Sequence, residues 1–120
     1  MGLYFHNKTD ASLWVIYASF DPGCEDEGGV QWRKKGWYHV LPGKTVKVWS
    51  GWAGGEKFFF YAEDDFVEHV WTGQFFTFAP WNAFDMCWGT GATAGGRNLG
   101  LRKINTIAGS NMDFTVSLIL

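Results

Sequence analysis

The sequence is short of the parts from which several familiar kinds of protein are built. It holds only 3 prolines, 2 cysteines and 3 histidines in 120 residues, and 18% of them are charged. No stretch approaches the roughly 18 uninterrupted apolar residues of a membrane-spanning helix. The start, MGLYFHNKTD, lacks a basic segment followed by an apolar core. The chain therefore reads as soluble and without a Sec-type signal, which leaves its localisation open between the cytoplasm and export by another route. Met1-Gly2 begins like a myristoylation site, yet His6 stands where that motif wants a small hydroxyl residue. Lys and Arg total 10 against 12 Asp and Glu, a net charge of -2, so no broad positive field exists to neutralise a phosphate backbone and nucleic acid is not an expected partner. Helical periodicity is missing too, and 16 glycines divide the chain into short pieces. The cysteines, Cys24 and Cys87, sit in no CxxC and make no zinc or redox motif. They are either two buried thiols or one bridge.

What is abundant is apolar and aromatic: 47% hydrophobic residues, with 11 Phe and 8 Trp. That composition belongs to a chain that folds around a core, and 120 residues suit one domain spanning 1–120. Strand patterns recur along it. GLYFHNK and SLWVIYAS, joined by a turn at NKTD, read as a hairpin. Residues 21–29 are a loop rich in Gly and acid, and 30–40 read as a strand with an irregularity at Gly36, where a bulge would change the side on which side chains fall. Leu41-Pro42-Gly43-Lys44 has the residues of a type II turn, and TVKVW alternates cleanly after it. KFFFYAED places Phe58 and Phe60 on one face and Phe59 and Tyr61 on the other, as a central strand covered on both sides would. FVEHVW, QFFTFA, NLGLRKIN and MDFTVSLIL complete the series, and 80–96 is the least regular stretch. The expected fold is all-β, a single-domain antiparallel β-sandwich of jelly-roll or Greek-key type with about eight or nine strands.

Several landmarks follow one another in order. They are Asn7-Lys8-Thr9 before Trp14-Val15, Gly36-Trp37, Pro42-Gly43 with Thr45-Val46, Phe59-Phe60-Tyr61-Ala62-Glu63-Asp64, Trp71-Thr72-Gly73, Phe76 and Phe78, Cys87, and Asp113-Phe114-Thr115-Val116. The succession covers most of the chain and resembles the bacterial domain of unknown function 1036 family. The resemblance implies a small all-β domain and supplies no activity or site residues.

Signatures of catalysis are not visible. GxSxG and HExxH are missing, the serines stand alone, and Cys87 between Met86 and Trp88 reads as a small buried hydrophobe, so the chain is expected not to be an enzyme. No cofactor motif occurs. Asp64, Asp65 and Glu68, with Glu63 and His69, form the densest oxygen-rich cluster, and Glu25-Asp26-Glu27 a second. Neither has the loop spacing of a calcium site, so they are only weak metal candidates. The tryptophans depart most from a bland domain. Trp49 ends a strand, and Trp52, Trp81 and Trp88 lie in segments rich in Gly, Pro or Asn; together the four are the candidate ligand-binding residues. Flat rings at loop tips can stack on a sugar face. Lys47 with Trp49, and Trp32 with Lys34, are expected to form a partly exposed aromatic and basic face. The function these features favour is a non-enzymatic binding or assembly domain that docks a carbohydrate or a protein partner. The alternatives are a self-assembling structural protein, for which VSLIL offers an unguarded edge, and a small membrane-active toxin.

Overall fold

The computed structural model describes residues 2–24, 31–51, 53, 57–92, 94–105 and 113–120, with only the backbone at 57 and 105. These residues form ten strands: β1 (Gly2–Asn7), β2 (Leu13–Phe20), β3 (Trp32–Val40), β4 (Thr45–Ser50), β5 (Lys57–Asp64), β6 (Val70–Trp71), β7 (Phe75–Pro80), β8 (Phe84–Cys87), β9 (Gly96–Asn105) and β10 (Asp113–Leu118). Among the described residues there is no helix, so none is long and apolar enough to cross a membrane. The chain is all-β. The count exceeds the eight or nine expected because the stretch that looked irregular contains β8.

The strands make two sheets, one ordered β10-β1-β4 and the other β7-β9-β5-β2-β3-β8, with β6 added to β5. The hairpin expected between the first two strands does not form. β1 lies between β10 and β4, and the turn after Asn7 carries the chain into the other sheet. Asn7 explains the crossing: its buried amide donates to the Ala11 and Val40 carbonyls, and its Oδ1 accepts from the Thr9 backbone and hydroxyl. The β1–β10 pair is parallel, so the expectation of a wholly antiparallel arrangement fails in the smaller sheet.

The KFFFYAED strand, β5, sits between β9 and β2. Phe58, Phe60 and Ala62 are buried with Leu3, Phe5, Val48 and Leu118, a core that lies between the sheets. On its other face Tyr61 and Phe59 pack with Ile16, Ala18, Phe84, Leu99 and Leu101. Both faces are covered, so the strand is aromatic throughout instead of alternating with polar residues.

The second cluster is enclosed because the larger sheet curls. Lys34 Nζ on β3 donates to Thr77 Oγ1 at 2.8 Å and to the Phe78 and Thr90 carbonyls at 2.5 and 2.7 Å. Trp37 Nε1 donates to the Pro80 carbonyl at 2.9 Å. The bonds to Thr77, Phe78 and Pro80 join β3 to β7, across the three strands that separate them in the ladder. Lys34 is therefore fully buried, not part of an exposed basic face as expected, and three oxygens offset the cost of removing its ammonium from water.

A bulge sets which side chains enter the curl. Val15 faces Tyr38 but Tyr17 faces Lys35, so two steps on β2 match three on β3. The extra residue falls at the irregularity expected around Gly36 and reverses the alternation. Lys34 and Trp37 consequently both point into the curl, while Tyr38 packs against the core between the sheets. Only glycine fits at 36, where a Cβ would lie 2.2 Å from Ile16 Cγ2. The type II turn forms as expected: Gly43 has φ of 75° and Lys44 N–H donates to the Leu41 carbonyl at 3.0 Å.

Candidate binding cleft

At the end of the curl where β2 begins and β5 finishes, a cleft of about 410 Å³ opens, with Trp14, Trp37, Trp81, Glu63, Asp65 and Arg97 in its wall. The volume falls within the range of ligand pockets. Arg97, near the start of β9, places its guanidinium carbon 4.6 Å from the Trp81 ring centre and 5.8 Å from that of Trp37. Its Nη2 donates to Glu63 Oε1 at 2.5 Å, and Tyr61 donates its hydroxyl to the same oxygen at 2.8 Å. Burial first, and then the Glu63 carboxylate, push the Tyr61 hydroxyl well above its ordinary range, so it remains a donor.

Both strand-borne tryptophans have their indole N–H committed to the protein. Trp37 bonds Pro80, and Trp14 donates to Asp65 Oδ1 at 2.7 Å while its ring stacks 4.1 Å from His39. Their rings are left to line the cleft as flat apolar surface. Trp81 is 59% exposed. Arg97 Nε is buried without a hydrogen-bond partner among the described residues, an unusual state for a native donor.

Beside the cleft, Asp64 organises the turn after β5. Its carboxylate accepts from the backbone of Phe66, Glu68 and His69 at 3.2, 2.9 and 3.2 Å and meets His69 Nδ1 at 3.1 Å. Burial opposes ionisation there, but the bonds from Glu68, then from the His69 ring and backbone, prevail and hold Asp64 below the usual 3.8. This turn also holds Val67 at φ of 54°, an uncommon conformation for a β-branched residue. Of the weak metal candidates, Asp64 and Glu68 come together with His69, their ligand atoms within 4.8 Å. Asp65 does not join them, because it is engaged by Trp14. Asp64 already serves the turn donors, which is a sufficient reason for the cluster. The second acidic run, at residues 25–27, lies outside the described residues.

The opposite end of the curl is built differently. Phe59 is its hub, with ring centres of Phe75, Trp32 and Trp88 at 4.8, 5.0 and 5.6 Å, and Phe20 lies 5.9 Å beyond Trp32. Cys24 and Cys87 form a disulfide with Cα atoms 5.4 Å apart, tying the loop after β2 to the end of β8 at this same end. Arg33 donates to Asp21 at 2.7 Å and to Asp85 at 3.0 Å alongside, and its bond holds Asp21 below the ordinary carboxylate range.

Of the four candidate tryptophans, the three among the described residues lie in different places. Trp81 lines the cleft, Trp88 belongs to the opposite end, and Trp49 packs edge-on against Phe58 at 5.1 Å beside the core between the sheets. Trp52 lies outside the described residues. The curl brings strand residues to the rim of the cleft beside the loop residue Trp81. Trp14, Trp37 and Arg97 were not among the candidate site residues, and Glu63 stood only in the acidic cluster, although the irregularity at Gly36 was a signal for Trp37. No protein-family model matches the chain, and no curated protein or solved structure shows significant similarity to it.

Proposed function

We propose that this chain is a non-enzymatic carbohydrate-binding domain, a β-sandwich of the jelly-roll or Greek-key kind, with the cleft at the Trp81 end as its binding site. The observation that carries the reading is the convergence of Trp14, Trp37 and Trp81 with Arg97, Glu63 and Asp65 in one concavity. A sugar ring offers an apolar C–H face and a rim of hydroxyls. Trp81 is exposed enough to stack on the face, and the carboxylates and guanidinium suit the hydroxyls as acceptors and donors. The resemblance to the domain of unknown function 1036 family is compatible with this proposal and adds no mechanism. A glycan array followed by tryptophan-fluorescence titration tests it. Binding to at least one glycan, weakened about tenfold or more in Trp81→Ala, is expected from losing a stacking ring. Silence across the array, or a Trp81→Ala protein that binds as well as wild type, rejects it.

Self-association is the second reading, favoured by the exposure of Phe20, Phe75 and Phe76 at 51, 46 and 66% around the opposite end. A concentration series in sedimentation velocity decides: an s-value rising with concentration supports it, and a monomer throughout rejects it.

A further inference from the structure

The charges around the cleft narrow the class of sugar, an inference that rests on the carbohydrate reading above. Three carboxylates, Glu63, Asp64 and Asp65, share the wall with one guanidinium, Arg97. They are not equivalent. Asp64 is occupied by the backbone N–H groups of its turn and by His69. Glu63 is paired with Arg97, so these two largely cancel. Asp65 is exposed and, among the described residues, accepts a single bond, from the Trp14 indole. The uncompensated negative charge therefore sits at Asp65, on the rim and beside the Trp14 ring.

We propose that the cleft selects sugars bearing a free amine over neutral and acidic ones, with Asp65 as the residue that sets the preference. An ammonium placed at Asp65 gains an ion pair with a carboxylate that the Trp14 indole N–H holds in place. A uronate or sulfate in the same place meets the Asp65 carboxylate as a like charge. The one cation of the wall is already engaged by Glu63 and held between two indoles, so it is poorly placed to compensate. For a solvent-exposed pair the preference should be modest, about fivefold in affinity.

The test is a titration of the protein with three probes of matched length: glucosamine oligomers, N-acetylglucosamine oligomers and oligogalacturonate. Binding is followed by calorimetry at low salt and again in roughly half-molar salt, where exposed charges are screened. The glucosamine oligomers are expected to bind most tightly and oligogalacturonate most weakly. The ratio between the aminated and acetylated probes should fall toward one in high salt and in Asp65→Asn. Equal or tighter binding of the acetylated or acidic oligomers overturns this inference while leaving the carbohydrate reading standing. An Asp65→Asn protein that keeps the full preference also overturns it. If none of these probes binds while another glycan does, the selectivity is refuted alone; if no glycan binds at all, both readings fall.

Discussion

The two ends of the curled sheet are made from the same strands and do opposite things with their aromatic rings. At one end Phe75, Trp32 and Trp88 all meet the Phe59 ring, beside the Cys24–Cys87 bridge. At the other end Trp37 and Trp81 meet a guanidinium and Trp14 meets an imidazole, leaving an open cleft between them. Rings that satisfy one another consolidate a structure, whereas rings held apart by polar groups keep a surface on offer. The difference teaches that aromatic content alone does not mark a binding site; the groups placed between the rings do.

The comparison breaks most readily at the bridge. Reducing it, or replacing both cysteines with serine, removes a cross-link spanning 63 residues in sequence. By the chain-entropy account this costs about 4 kcal/mol. The loss should appear in chemical denaturation, and sugar binding by the fraction still folded should persist, since the bridge is far from the cleft.

Lys34 comes next, because it closes the curl on which both ends depend. Lys34→Met fills much of the same space but leaves the Thr77 hydroxyl and the Phe78 and Thr90 carbonyls without their donor, which should cost about 3 kcal/mol in urea denaturation. Unchanged stability would mean that the curl closes without this contact.

Trp81→Ala should behave oppositely. The ring is mostly exposed, so its removal is expected to cost under about 1 kcal/mol of stability while weakening ligand binding at least tenfold. A large stability loss would place Trp81 with the consolidating rings of the other end.

The smallest effect concerns acid. Each end has a carboxylate held low, Asp64 by the N–H groups of its turn and Asp21 by Arg33. A carboxyl depressed in the folded state contributes stability that is complete above the ordinary value of 3.8 and fades as pH falls through its lower folded value. The Glu68 and His69 amide resonances should therefore move below that pH, reporting loosening of the turn. The Trp88 amide, bonded to the Trp32 carbonyl next to the bridge, should hold its position.

How far these features could be read in advance follows from how local they are. The two-faced character of residues 58–61, the turn at Pro42-Gly43 and the bulge at Gly36 depend on neighbours in sequence, and all were legible. Pairing was not. The Asn7 side chain redirects β1 into the smaller sheet through bonds to Ala11 and Val40, and nothing in NKTD distinguishes that crossing from a hairpin turn. The burial of Lys34 was hidden because its acceptors come from residues 77, 78 and 90, which only the curl brings near. The cleft was hidden because it depends on pairing and closure: Trp14 and Glu63 face each other across β2 and β5, and the curl carries Trp81, beyond β7, to Trp37 on β3.

The most direct test uses the indole resonances of the 8 tryptophans in a nitrogen-15 spectrum, assigned by substitution and followed while a binding glycan is added. The account predicts that the signals of Trp14, Trp37 and Trp81 move with the titration while those of Trp32 and Trp88 stay in place. Shifts confined to Trp32 and Trp88 would place the site at the opposite end and contradict the central claim.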